Sequence, residues 1–400
     1  MKSPFKSFLW TISLFGLLII QGCDKPVEYS SSDYPYPISD DLFTTDTLTS
    51  GLTIPFGLVF LDDNDFLISD RIGKIFRFKG ENLQEVYVAP EVQTFEDPGS
   101  PLIIHGGLMD LSLHPDYPTV PWIYMAYFGK DGRGKVARFK LRENQIFDQE
   151  IIFQTRTEGY YGNGMRIVWE DEEHFFLNIG VSNYSTRKNP VLVSQDLKED
   201  WGKIHRLNQD GTIPEDNPIL EGEEKPGSIY SFGHRDVQGL VYESSTQTLY
   251  GIEHGPKGGD EFNIILPGKN YGWPLFTYGT HYNGEPVSLI SRDSAEKISV
   301  LPQHYWTVPS SDGGRAIAPS CAILVRNSNF PEWEDHFLIA SLAFQRLLKF
   351  DPKTGNTFGL KMQGRIRSIY QEQDGNLLLL VERNDITKSN GKLVRVKKPN

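Results

Sequence analysis

The chain is poor in cysteine, in long apolar runs and in positive charge, and each shortage removes a class of protein. Its 400 residues hold two cysteines, Cys23 and Cys321, almost three hundred positions apart. No dense disulfide framework can hold such a chain together. Its main apolar run, Phe8 to Ile20, has thirteen residues, whereas a helix that crosses a bilayer needs about 20. Lysine and arginine together number 40 against 52 aspartates and glutamates, a formal charge of −12. A nucleic acid is not the expected partner, because phosphate contacts need a basic footprint. No long amphipathic helix is legible, and the nine histidines show no paired metal-ligand spacing. His114, before Pro115 and Asp116, reads as a turn residue. The glycines at 129, 132 and 134 are not followed by a helix, so they read as a turn rather than a phosphate cradle.

What is present begins with a targeting segment. Lys2 and Lys6 precede the short apolar run, and Gln21, Gly22 and Cys23 follow it; a basic start, a short apolar stretch and a small residue before the cut describe a secretory signal. A small residue directly before a cysteine resembles the lipobox of bacterial lipoproteins, whose cysteine sulfur receives the lipid. Residues 1–22 are therefore expected to be removed and Cys23 to anchor the chain to a membrane on the periplasmic or cell-surface side. An ordinary signal peptide with an incidental cysteine is the alternative. With Cys23 acylated, Cys321 is left without a partner, and no intramolecular disulfide is expected. Loss of residues 1–22 takes away two lysines and no acid, so −12 becomes −14. Residues 23–45 are polar and punctuated by Pro26, Pro35 and Pro37, and read as a tether.

From residue 46 to 400 the pattern is one of recurring hairpins. Six stretches share a small or polar start, an apolar run, a polar turn and a second apolar run: Pro55 to Arg71, Gly106 to Tyr127, Gly162 to Val181, Asp236 to Gly255, Ala318 to Leu342 and Arg365 to Arg383. Each reads as a β-hairpin. Their starts are 51, 56, 74, 82 and 47 residues apart. Hairpins at roughly 40–50 residues, with insertions, mark a propeller whose blades bury their faces against one another. The fold class is therefore all-β, a six-bladed β-propeller, with a two-sheet sandwich as the disfavoured alternative.

A propeller gathers the starts of its inner strands around one mouth. Those positions hold His105; Tyr160, Tyr161 and Asn163 with Arg166; His234, Arg235 and Asp236; Arg315; and Arg365 with Arg367. Five arginines on an acidic protein suit a small polyanion, since guanidinium pairs bidentately with carboxylate. The i, i+2 spacing of Arg365 and Arg367 puts them on one face of a strand. Some of the others read equally well as solvated or as bridges between blades.

The segment Gly233-His-Arg-Asp-Val-Gln-Gly-Leu-Val, with Glu253-His-Gly-Pro-Lys-Gly-Gly-Asp-Glu-Phe-Asn and Pro267-Gly-Lys-Asn-Tyr-Gly-Trp-Pro, resembles the soluble quinoprotein glucose/sorbosone dehydrogenases, six-bladed propellers. The resemblance is strong over about 230–275 and collinear from about 50 to the C-terminus. It implies oxidation of an aldose at C1 to a lactone by pyrroloquinoline quinone (PQQ), with calcium activating the quinone and an unidentified acceptor taking the electrons. It places Arg235, Asp236, Arg365 and Arg367 at the cofactor, Gly255 and Pro256 at its calcium through backbone carbonyls, and Glu261 and Tyr271 at a second, structural calcium. Four positions depart from the family. Gly162 stands where the general-base histidine is expected, Asp236 where an asparagine is usual, Ala343 where a cofactor-binding lysine is usual, and His105 where a glutamine is usual. His105 or Asp236 is the expected replacement base. A non-catalytic, calcium-containing binding propeller and a calcium-dependent lactonase-type hydrolase remain the other readings.

Overall fold

The computed structural model describes residues 35–89, 91–93, 106–158, 164–181, 192–307, 316–362, 364–382 and 390–399. The signal, Cys23, His105, Tyr160 to Asn163 and Arg315 lie outside these. Among the described residues no helix is long and apolar enough to cross a membrane.

Six four-stranded antiparallel sheets form the six blades of a β-propeller. The inner strands are Pro55–Asp62, Leu108–Leu113, Ile167–Trp169, Val237–Glu243, Pro319–Leu324 and Arg365–Gln371, taken as blades one to six. Each expected hairpin supplies the inner two strands of one blade. The ring closes by an exchange of termini. Thr44–Leu52 forms the outer strand of blade six by pairing with Gly391–Lys397 near the C-terminus.

Why the strands read as apolar runs rather than alternating ones is clear in Leu377–Glu382. Leu377 and Leu379 pack into the cluster shared with blade five, while Leu378 and Leu380 pack into the one shared with blade one. A strand buried on both faces has no polar side to alternate with. Complete burial of each such side chain stabilises by about 1.5–3 kcal/mol relative to exposure. Around the channel the chains approach closely enough to demand glycine. A Cβ at Gly57 would lie 2.5 Å from the Leu111 nitrogen, and one at Gly164 only 1.9 Å from the Val237 carbonyl oxygen.

Residues 35–43 are not free chain. Ile38 bridges Gly359, Asp41 pairs with Lys349 at 2.5 Å and accepts the Trp333 indole N–H at 2.8 Å, and Phe43 packs edge-on against Trp333. Tyr36 rests edge-on against Phe344. Within the span 23–45 expected to be a tether, residues 35–43 thus strap blade five before the chain completes blade six.

Candidate active site

In an antiparallel hairpin the start of the first strand and the end of the second share one end of the sheet. Arg365 pairs with Glu382 in register, Pro55 with Asp70, and Val237 with Glu253. The mouth is consequently built from both sets, Arg235, Arg365 and Arg367 facing Arg71, Glu253, His254 and Glu382. These four residues, at or just past the ends of second strands, have no part at the mouth in the sequence reading.

The two arginines of blade six converge on one carboxylate. Arg365 Nε donates to Glu382 Oε1 at 3.0 Å, Arg367 Nη2 to the same oxygen at 2.8 Å, and Arg367 Nε to Oε2 at 3.1 Å. A register shift between Ile366 and Ser368 makes Arg367 the extra residue of a bulge, a common way to re-aim a side chain at a site. Burial opposes ionisation of Glu382, but Arg367 and then Arg365 outweigh it and hold the carboxyl below its usual range. Arg71 is buried beside them and donates from Nε to the Gly106 carbonyl at 2.8 Å. Burial, with Arg367 close by, brings its guanidinium down to about 10.

On the blade-four side, Arg235 donates from Nη1 to the His254 carbonyl at 3.2 Å and lies 5.4 Å from the Trp273 ring centre. Its Nε is buried with no hydrogen-bond partner among the described residues. His254 is held neutral: burial, then Arg235, push its imidazole down to about 3. Its Nε2 sits 2.6 Å from the Pro319 carbonyl, which can only accept, so the proton is on Nε2. Asp236 differs from its expected part. It is 1 % exposed and accepts from Gln238 Nε2 at 3.0 Å, so it lies beneath the mouth, and as a base it would need the chain to move. His105, the other expected base, is outside the described residues. Ala343 offers no cation.

Arg166 does not belong to the mouth. It is buried within the channel, where Nε donates to the Gln238 carbonyl (3.2 Å), Nη1 to the Phe56 carbonyl (3.2 Å) and to Asp110 (3.3 Å), and Nη2 to the carbonyls of Ser320 (2.9 Å) and Arg367 (3.3 Å) and to Ser368 Oγ (2.8 Å). One guanidinium at the head of blade three thus reaches all five other blades. Further along the inner strands the channel widens into a mostly apolar cavity of about 410 Å³ lined from every blade.

Beside the mouth lies a second constellation. Arg235, Glu253, Gly255, Glu261, Tyr271 and Trp273 are among the residues lining a cavity of about 10 Å³, room for one water-sized body. Asn263 Nδ2 donates to Glu253 (3.0 Å) and to Glu261 (3.2 Å), which leaves its buried Oδ1 without a partner among the described residues. Burial and then Glu253 raise the Glu261 carboxyl well above its usual range. Two crowded carboxylates at a cavity of this size suit a hard cation such as calcium. The Tyr271 hydroxyl is already used, donating to the Ile264 carbonyl at 2.6 Å and accepting from the Leu266 nitrogen at 2.8 Å. Its ring stacks on His234 at 4.5 Å, so only its main-chain carbonyl is left to offer an ion. Gly255 opens the adjoining turn, where a Cβ would lie 2.2 Å from the Gly258 carbonyl oxygen. Asp260 pins that turn by accepting from the nitrogens of Gly255 (2.9 Å), Ile317 (2.5 Å) and Ala318 (3.0 Å).

The sequence model of the family described as Glucose / Sorbosone dehydrogenase matches residues 52–395. The chain belongs to that family. Among similar glucose/sorbosone dehydrogenases, it is 30% identical over 367 residues to the aldose sugar dehydrogenase YliI of Escherichia coli (strain K12), covering 88% of this chain and 92% of the relative. It is 27% identical over 420 residues to the quinoprotein glucose dehydrogenase B of Acinetobacter calcoaceticus, covering 85% of each. The crystal structure of the soluble aldose sugar dehydrogenase of Escherichia coli in the apo-form superposes with a TM-score of 0.74 at 27% identity, over 90% of this chain and 100% of that one. The sequence resemblance is thus borne out, and the site belongs to a sugar-dehydrogenase-type propeller.

Proposed function

We propose that the protein oxidises a sugar or a related alcohol with PQQ, an aldose giving its lactone. The observation that carries this reading is the convergence of Arg235, Arg365 and Arg367, from two blades, on one mouth beside an oxygen-lined cation cavity. Their donors fit an anionic, multi-carboxylate cofactor, and the buried, unanswered Nε of Arg235 is a donor such a ligand could satisfy. When bound, the quinone would supply the hydride-accepting chemistry that side chains lack. The chain's own part is to hold and orient. Arg365 and Arg367 would bind carboxylate, Trp273 would wall one side, and Gly255 and Pro256 would offer carbonyl oxygens to a calcium ion. Glu253 and Glu261, both braced by Asn263 Nδ2, would hold a second ion that fixes the turn from Gly255 to Asp260. The hydroxyl proton needs a base within about 3 Å. With Gly162 in the usual place, His105 is preferred to the buried Asp236.

One observation favours a second reading, a binding propeller without turnover. Glu382 brings negative charge to the mouth, Asp236 adds more from beneath it, and Ala343 brings no cation, which would weaken an anion's hold. Titrating the metal-stripped protein with PQQ, with and without calcium, followed by a dye-linked sugar screen, separates the readings. Binding with turnover is expected. No binding at micromolar cofactor removes the dehydrogenase, and tight binding with no turnover on any aldose or polyol leaves the carrier. We further propose a lipid anchor at Cys23. Cys23→Ser should release the folded body from membranes, each buried lipid methylene being worth about 0.8 kcal/mol. Sedimentation with membranes after a salt wash would contradict the anchor.

A further inference from the structure

We propose that Glu382 is the mouth's own counter-ion, a built-in carboxylate that occupies the anion-binding edges of Arg365 and Arg367 and sets how tightly the site holds a multi-carboxylate ligand. The proposal rests on the anion-site reading above and deepens it. Its warrant is geometric. Both carboxylate oxygens are engaged, by three N–H groups from two guanidiniums, in the bidentate manner in which arginine holds a ligand carboxylate. The side chain of Glu382 is 5 % exposed and that of Arg367 8 %, whereas that of Arg365 is 28 % exposed and presents its remaining edge to the mouth. Arg365 also donates from Nη1 to the Leu342 carbonyl at 3.4 Å, so among the described residues its Nη2 is the group left over. An entering carboxylate therefore meets arginines already half neutralised. It must share their donors with Glu382 and bear its repulsion.

Three consequences follow from the charges. Without Glu382, the buried Arg367 and the partly exposed Arg365 lose their common partner, so the empty protein becomes less stable. An anion that enters the mouth then takes over the vacant role and restores stability. A negative charge removed from within a few ångströms of the ligand strengthens anion binding by about tenfold or more at the effective dielectric of a partly buried site. Gln at 382 keeps the shape and one oxygen acceptor while removing the charge, which makes E382Q the informative variant.

The experiment is calorimetric titration and thermal melting of the wild type and E382Q with two probes, PQQ and benzene-1,3,5-tricarboxylate, a redox-inert anion of similar charge. The expected result is binding of the tricarboxylate about tenfold or more tighter by E382Q, with a larger anion-induced rise in Tm than in the wild type. Equal or weaker binding by E382Q overturns the counter-ion. If both proteins ignore PQQ while E382Q gains affinity for the tricarboxylate, the counter-ion stands and only the quinone reading falls. If neither anion binds either protein, both fall. Should E382Q not accumulate as folded protein, R365M and R365M/E382Q carry the same comparison with one cation fewer, and the double variant must again bind the tricarboxylate more tightly.

Discussion

One channel holds a single arginine in its shaft and an arginine pair at its mouth, and their partners differ in kind. In the shaft, Arg166 is satisfied mainly by main-chain carbonyls of blades one, four, five and six. Those oxygens are fixed by the sheets and cannot be exchanged. At the mouth, Arg365 and Arg367 are satisfied by a side-chain carboxylate, Glu382, which an incoming carboxylate resembles. A guanidinium tied mainly to backbone cannot hand its partners to a ligand, whereas a pair sharing one carboxylate at a mouth has donors that an entering carboxylate would compete for. Residue type and position at the start of an inner strand are the same in both.

The sharpest way to break this contrast is at the tie. Arg166→Met should destabilise the protein by about 3–5 kcal/mol, because it leaves Asp110 buried without its ion pair and strands the carbonyls of four blades. Chemical denaturation should show the loss with anions present or absent. A variant as stable as the wild type would remove the distinction between shaft and mouth.

Next in size is the small cavity beside the mouth, proposed above to hold a cation. At calcium a hundredfold above its dissociation constant, native-state binding stabilises by about 2.7 kcal/mol, so chelation should lower Tm measurably. Glu261→Gln should blunt that response. An identical melt with and without chelator, in the wild type, would leave Glu253, Glu261 and Asn263 as a hydrogen-bonded cluster only.

Arg166 also shows where sequence reasoning stops. The six hairpins were legible because each blade repeats a start, a turn and two apolar runs, and the family phrase around residues 233–273 placed the mouth. Direction along the channel was not legible: a position near the head of a strand says nothing about whether a long side chain rises to the mouth or descends into the shaft. Glu382 and Arg71 were recoverable in principle, since antiparallel pairing of Arg365 with Glu382 returns the second strand's end to the same mouth. The outer strand Thr44–Leu52 was not, because TTDTLTSGL is mostly exposed and carries no alternation. Its place is set by closure with the C-terminus, a contact no local pattern encodes.

At the mouth itself, Arg365→Ala and Arg367→Ala should each weaken PQQ binding by about tenfold or more, since a charge-assisted hydrogen bond is worth about 1.5–3 kcal/mol. Isothermal titration checks this. If the two were separate sites rather than one, the double variant would be additive; if both hold the same carboxylate with Glu382, the effects should couple.

The smallest expected effect reads the same contrast through pH. Glu382 has its carboxyl held below the ordinary value of 4.5 because Arg367 and Arg365 outweigh its burial. A carboxyl depressed in the folded state contributes stability that is present above its unfolded pKa and is lost as pH falls through the folded one. The window therefore opens at about pH 4.5 and extends downward. Melts of the wild type and E382Q from pH 7 to pH 3 should run in parallel above about pH 5 and converge below 4.5, because only the wild type has this carboxylate to protonate. Arg166→Met, whose loss lies in the shaft, should keep the acid response of Glu382. Curves for E382Q and the wild type that stay parallel down to pH 3 would mean that Glu382 gains nothing from its two arginines in the folded state, and the mouth would then be no more exchangeable than the shaft.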